Sequence, residues 1–223
     1  MKKFALAIDG PSGAGKSSIA KALAKQLGIV YVDTGAIYRT VGLYVYRQGI
    51  DSKDASNIIS ILKDISVKIA YVDNAQHIYL NGEDVSDKIR TEIISKYASD
   101  VSAIPEVRTF LLSLQRDMAK ENSVVMDGRD IGTVVLPNAE IKVFLTASAE
   151  VRAQRRYKEL IEKGENVTFE SVLESINQRD KNDSSRATAP LKAAEDAIIL
   201  DNSLLTAQET LDQFIEIIES RLG

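Results

Sequence analysis

Gly10-Pro11-Ser12-Gly13-Ala14-Gly15-Lys16-Ser17 is the stretch of this chain most committed to chemistry, because it fits the pattern Gly-x4-Gly-Lys-Ser at every fixed position. It follows the apolar run "FALAID" and opens the helical pattern "KSSIAKALAKQLG". Glycines there let successive backbone N–H groups turn around an anion, and Lys16 and the positive helix end add charge. The loop from Gly10 to Ser18 is therefore expected to hold the β and γ phosphates of a nucleotide, with the Ser17 hydroxyl available to Mg²⁺. A glycine turn capped by serine is the alternative, and the complete pattern between strand and helix argues against it.

Two further motifs carry arginine to strand ends. "VDTGAIYR" sets Asp33 and Thr34 at the end of an apolar run and Arg39 in the next helix, and "VVMDGRD" repeats the arrangement with Asp127, Arg129 and Asp130. In a parallel sheet these ends share a crevice where ligands bind. Turn chemistry explains one such motif, since Asp-Gly is a common turn and Asp33 can cap a helix; two with arginines point to a second anion site.

"INQRDKNDSSR" spaces Arg179, Asp183 and Arg186 four and three residues apart, which predicts one helical face. Helical ion pairs are worth only ~0.2–0.5 kcal/mol, so stability alone does not require the cluster. "VRAQRRYKELIEKG" similarly stacks Arg152, Arg155 and Arg156, of which one or two are expected only to solubilise the helix. A phosphate loop alone does not separate kinases from GTPases or sensing modules. The chain contains neither a guanine-reading Asn-Lys-x-Asp nor a Leu-Ser-Gly-Gly-Gln signature.

The elements that must position these residues follow from periodicity. "KFALAID", "IVYVD", "SVVMDG", "IKVFLT" and "AIILD" read as buried strands of a parallel sheet. Helical spacing marks "KSSIAKALAKQLG" up to Gly28, "TGAIYRTVGLYVYRQG" up to Gly49, "DASNIISILKDI", "DKIRTEIISKYASDVSA", "PEVRTFLLSLQRDMAKE" from Pro105 and the final "AQETLDQFIEIIESRL". "SVKIAYVD" and "HIYLNGEDV" alternate instead and predict two antiparallel strands. Two charged helices, 149–163 and 169–185, joined around Gly164, form a candidate lid.

The expected organisation is a single α/β unit with core segments 1–60, 86–147 and 190–223, an insertion at about 61–85 and a lid at about 148–189. With 223 residues, 44% of them apolar and 27% charged, the chain suits one α/β domain. A net charge of −4 does not encode binding to a nucleic acid polymer. With no cysteine, disulfides and thiol catalysis are excluded, and the single His77 is poor evidence for a metal centre. "MKKFALAIDG" is interrupted before it reaches signal-peptide length, and no apolar run is long enough to span a membrane. A cytoplasmic, unanchored monomer is expected.

Together "DGPSGAGKS", "DTGAIYR", "GEDVSDKIR", "VSAIPEVR", "DGRDIGTVV", "AQRRYK", "DSSR" after "RD", and "APLKAAEDAIILD" resemble the bacterial-type cytidylate kinases of the nucleoside monophosphate kinase family. The likeness runs from Ile8 to about Asp201. It implies a P-loop kinase fold with a five-stranded parallel sheet, a substrate-side β insertion and a helical lid. It further implies transfer of the γ-phosphoryl group of ATP to CMP or dCMP with Mg²⁺, without a covalent enzyme intermediate.

By the same resemblance Arg39 and Arg129, with Thr34 nearby, meet the acceptor phosphate. Arg155 and Arg186 arrive from the lid, Arg179 and Asp183 meet the sugar, and Ser99, Arg108 and Asp130 read cytosine. Lys16, Arg129, Arg155 and Arg186 are the catalytic set it implies. Ser184 and Ser185 in "DSSR" receive no role. Another small acceptor (UMP, AMP or shikimate) and an ATP-sensing module remain the alternatives.

Overall fold

A computed structural model describes residues 3–72 and 75–223. Lys2 of the N-terminal stretch and Asp73 of the expected strand "SVKIAYVD" lie outside the described residues. In chain order the elements are β1 (Ala5–Asp9), α1 (Lys16–Leu27), β2 (Val30–Asp33), α2 (Thr34–Arg47), α3 (Ala55–Ile61), β3 (Val67–Val72), β4 (Ala75–Leu80), β5 (Glu83–Asp84), α4 (Glu92–Val101) and α5 (Pro105–Glu121). There follow β6 (Val124–Gly128), a π-helical turn (Ile131–Val135), β7 (Ile141–Thr146), α6 (Ala149–Glu162), α7 (Phe169–Ser184), β8 (Ile198–Asp201) and α8 (Ala207–Leu222). All five expected sheet strands form, in the order β2-β6-β1-β7-β8.

The chain divides into two compact units: one runs to Tyr31 and resumes over Asn122–Gly223, and the other is Val32–Glu121. In the first, β1 lies parallel to both β6 and β7, with Asp9 opposite Gly128. The phosphate loop after Asp9 and the Arg129-Asp130 corner after Gly128 therefore leave the sheet side by side. Leu6, Ile8, Val125, Val143 and Leu145 build the buried sheet layer, and Ile19, Leu23, Phe214 and Ile218 of α1 and α8 pack into the same core. Helices α6 and α7 enclose a small apolar cluster of their own, Ala153, Leu160, Val172 and Ile176.

In the second unit α2 and α4 approach closely at Gly42, where a Cβ would come within 2.9 Å of the Ala98 nitrogen. Only glycine admits that contact without a shift. The insertion forms an antiparallel sheet of three strands, β3-β4-β5, rather than the two expected. "HIYLNGEDV" is broken because Asn81 (φ 49°) and Gly82 (φ 88°) form a two-residue hairpin turn between β4 and β5. Asn-Gly favours that left-handed turn, a signal that alternation alone overrode.

Two helix bounds also differ from expectation. "DKIRTEIISKYASDVSA" becomes helical only at Glu92, after Thr91 accepts the Ile94 N–H as a cap. Helix α7 ends at Ser184, so Arg186 lies beyond it and not on the helical face expected. The Leu191 N–H bonds back to the Asp183 carbonyl at 2.9 Å and turns the chain off the helix axis.

Candidate active site

The phosphate loop keeps its shape through its carbonyls. Arg152 donates to the Ser12 oxygen at 3.1 Å, and the Asn202 side-chain amide donates to the Ala14 oxygen at 3.1 Å. With no cis peptide among the described residues, the Gly13 and Gly15 N–H groups must point the opposite way from those anchored carbonyls. That is the arrangement an anion requires. Gly10 (φ 148°) passes so close to β7 that a Cβ would lie 1.9 Å from the Leu145 oxygen, and Gly15 (φ 90°) precedes the first residue of α1.

Lys16 is buried, and its ammonium donates to the Pro11 oxygen at 2.7 Å. Burial is the main reason its pKa lies well below the ordinary lysine value; the charge of Arg129 adds to this and that of Arg179 contributes, while Asp127 opposes it. Lys16, Arg129 and Arg179 thus concentrate positive charge in one place, and a polyphosphate would relieve their repulsion.

Asp183, buried at 1% exposure, takes part of that charge. Arg129 Nε donates to its Oδ2 at 2.8 Å, and Arg186 Nη2 donates to its Oδ1. Burial pushes the Asp183 carboxyl up, but Arg129, Arg186 and Arg179 outweigh it and hold the pKa below the ordinary value.

Ser17 Oγ donates to Asp127 Oδ2 at 2.7 Å, and the Tyr31 hydroxyl donates to Oδ1 at 2.9 Å. One hydroxyl and one carboxylate suit Mg²⁺, which keeps several waters and takes its other oxygens from phosphate. Among the described residues no cluster of three or more His, Cys, Asp or Glu stands ready to hold a metal.

Two other expected residues of this unit have specific neighbours. Arg155 donates to the Asn202 side-chain oxygen at 3.0 Å and to its carbonyl at 2.9 Å, which ties α6 to the segment after β8. Asp130 is buried and makes no capping bond through its side chain to the π-helical turn that it precedes.

In the second unit Asp33 combines cap and ion pair: Oδ1 accepts from the Ala36 N–H at 2.8 Å, and Oδ2 accepts from Arg39 Nη2 at 2.9 Å. Thr34, the first residue of α2, is buried. Arg108 is buried, donates to the Ser102 oxygen at 3.0 Å and stands 5.4 Å over the Tyr38 ring. The Ser99 carbonyl accepts from the Ser102 hydroxyl at 2.8 Å.

Several residues around these groups carry no role in the sequence analysis. Asp9 accepts the N–H groups of Ile131 and Gly132, each at 2.7 Å. Its burial, opposed by those two bonds, raises its pKa to about 6. Arg152, stacked with Arg155 and Arg156 in the sequence and given no individual role there, is buried and paired with Asp180 at 2.6 Å. Gln76 of β4 accepts the Asp33 N–H at 2.8 Å. An aspartate closing an apolar strand was a usable signal for Asp9 and Asp127; Asn202 and Gln76 carried none.

A phosphate loop clamped from behind, beside arginines gathered on a buried aspartate, defines an α/β P-loop kinase fold. The solved structures agree on the fold: shikimate kinase from Acinetobacter baumannii in complex with shikimate aligns with a TM-score of 0.50 at 16% identity, covering 100% of this chain and 97% of that one. An uncharacterized protein from Eubacterium ventriosum aligns with a TM-score of 0.54 at 14% identity, covering 98% and 100%.

Sequence likeness is much closer and fixes the family. Residues 6–220 match the family model for cytidylate kinase, and the chain belongs to that family. It is 51% identical over 223 residues to the cytidylate kinase of Caldicellulosiruptor saccharolyticus, covering 100% of this chain and 99% of the relative. It is 52% identical over 217 residues to that of Caldicellulosiruptor bescii, covering 97% and 96%.

Proposed function

We propose that this chain transfers the γ-phosphoryl group of ATP to CMP or dCMP, giving ADP and CDP or dCDP. The observation that carries this reading is a phosphate loop anchored through its Ser12 and Ala14 carbonyls, beside Arg129 and Arg186 held on the buried Asp183, in a member of the cytidylate kinase family. An oxygen of the acceptor phosphate attacks the γ-phosphorus, its bond to phosphorus forms as the bond to the β-bridging oxygen breaks, and ADP leaves with that electron pair. The chain's contribution is electrostatic. Backbone N–H groups of the loop and Lys16 bind the donor phosphates, and Arg129, Arg155 and Arg186 stabilise charge on the transferred group.

Ser17 and Asp127 are the residues that would hold Mg²⁺, which when bound neutralises charge on the β and γ oxygens. Arg179 and Asp183 are assigned to the acceptor sugar and Asp130 to cytosine. Thr34, Arg39, Ser99 and Arg108 are assigned to the acceptor by family resemblance. The segment 148–189 acts as a lid; the separate apolar cluster of α6 and α7 supports its behaviour as one body. Within the described residues no helix is long and apolar enough to cross a membrane, and we place the enzyme in the cytoplasm as a monomer.

A coupled ADP-release assay with CMP, dCMP, UMP, AMP and shikimate tests this reading. Turnover should be highest with CMP or dCMP. Preference for another acceptor would reassign the substrate, and tight ATP binding without acceptor-dependent ADP release would make the chain a nucleotide sensor.

A further inference from the structure

The geometry points to Asp9 as a positioning residue that aims the Arg129-Asp130 corner at the acceptor nucleotide. Asp9 ends β1, one residue before the phosphate loop, and is 4% exposed. Its two carboxylate oxygens take the N–H groups of Ile131 and Gly132 separately, each at 2.7 Å. Those N–H groups are the first two of the π-helical turn Ile131–Val135, and the start of a helical turn leaves such donors without partners of its own. The residue before the turn, Asp130, does not cap it through its side chain. Asp9 therefore acts as a cap supplied from a neighbouring strand.

The consequence falls on Arg129 and Asp130. The gripped Ile131 N–H belongs to the peptide that joins Ile131 to Asp130, so fixing it fixes the direction in which the Asp130 side chain leaves the backbone. Asp130 holds φ −145° and ψ 27°, a conformation outside the regular helix and strand regions. Gly132 lies between the carboxylate and Lys142: a Cβ there would stand 3.1 Å from Lys142 Cδ and 3.4 Å from Asp9 Oδ2. The sheet does not depend on this carboxylate, because β1 is paired by its backbone to both β6 and β7. Burying an ionisable group there costs free energy that an apolar residue would not, which fits retention for geometry rather than for stability.

This inference rests on the reading of Arg129 and Asp130 as acceptor ligands. Asp9→Asn keeps the shape but replaces one acceptor oxygen with an NH₂ facing an N–H. In the full-length enzyme, KM for CMP should rise about tenfold or more while KM for ATP changes less than about threefold. A folded variant with unchanged KM for CMP, or with both KM values raised alike, overturns the positioning role.

If Asp9→Asn fails to fold, Asp9→Glu, which sets the carboxylate one methylene further from the Ile131 and Gly132 N–H groups, should give the same selective rise; its absence overturns the proposal. Wild-type enzyme that turns over another acceptor, and not CMP, overturns the functional reading as well. An active wild type with an unselective variant overturns the positioning role alone.

Discussion

Arg129 donates from Nε to Asp183 Oδ2 at 2.8 Å, although 54 residues separate them in the chain. Asp183 also accepts from Arg186, so one buried carboxylate holds two of the expected catalytic arginines in place before any phosphate arrives. Asp183→Asn should lower the unfolding free energy by ~3–5 kcal/mol, the usual cost of leaving buried charge uncompensated. Added ATP should recover part of the loss, because its phosphates supply the missing negative charge. The folded pKa of Asp183 is depressed from 3.8, so its contribution is present above that value and lost as pH falls through the folded pKa. Chemical denaturation of both proteins between pH 3 and pH 7, with and without ATP, checks this; equal stability throughout would remove the carboxylate's role.

Lys16→Ala should leave a folded protein and lower kcat by roughly 10²-fold or more, as loss of other preorganised electrostatic donors does. Steady-state kinetics beside a circular dichroism spectrum decide it. Near-normal turnover in the folded variant would sink the assignment of the donor site.

Cytosine offers an N4 amine where uracil presents an O4 acceptor, and an ionised Asp130 can accept but not donate. Asp130→Asn supplies a donor as well. The CMP-to-UMP ratio of kcat/KM should then fall about tenfold, equivalent to ~1.4 kcal/mol. Equal losses with both substrates would show that Asp130 does not read the base.

Arg152 joins the Ser12 carbonyl, the Ala147 carbonyl and Asp180, which a lysine cannot span with one ammonium. Arg152→Lys should therefore raise KM for ATP about tenfold and leave KM for CMP within about threefold. A change confined to CMP would contradict the assignment of Arg152 to the phosphate loop.

The raised pKa of Asp9, about 6 against 3.8, makes its charged form a cost to the folded state. Its contribution is most favourable below pH 3.8 and is lost as pH rises through about 6. The stability of wild type relative to Asp9→Asn should fall across that window by on the order of 3 kcal/mol, at 1.36 kcal/mol per unit. Urea titrations of both proteins at pH 4 and pH 7 measure it, and a constant difference would refute the shift.

The sequence by itself determined the five sheet strands, the phosphate loop and the family, because each depends on local spacing. An apolar run, a Gly-x4-Gly-Lys-Ser pattern or Pro105 at the first position of α5 acts on neighbouring residues. Where two local signals competed the reading failed, as at Asn81-Gly82, where turn chemistry overrode apparent alternation.

Only the tertiary structure decided which polar groups meet across the chain. Asp9 reaches Ile131 and Gly132, Asn202 reaches Ala14, and Arg152 reaches Ser12 and Asp180. Those pairings arise where β1, β6, β7 and β8 end side by side, and sheet order is fixed by long-range packing that no local periodicity records. Burial then makes each partner necessary, since an unpaired polar group in the interior costs ~1–3 kcal/mol.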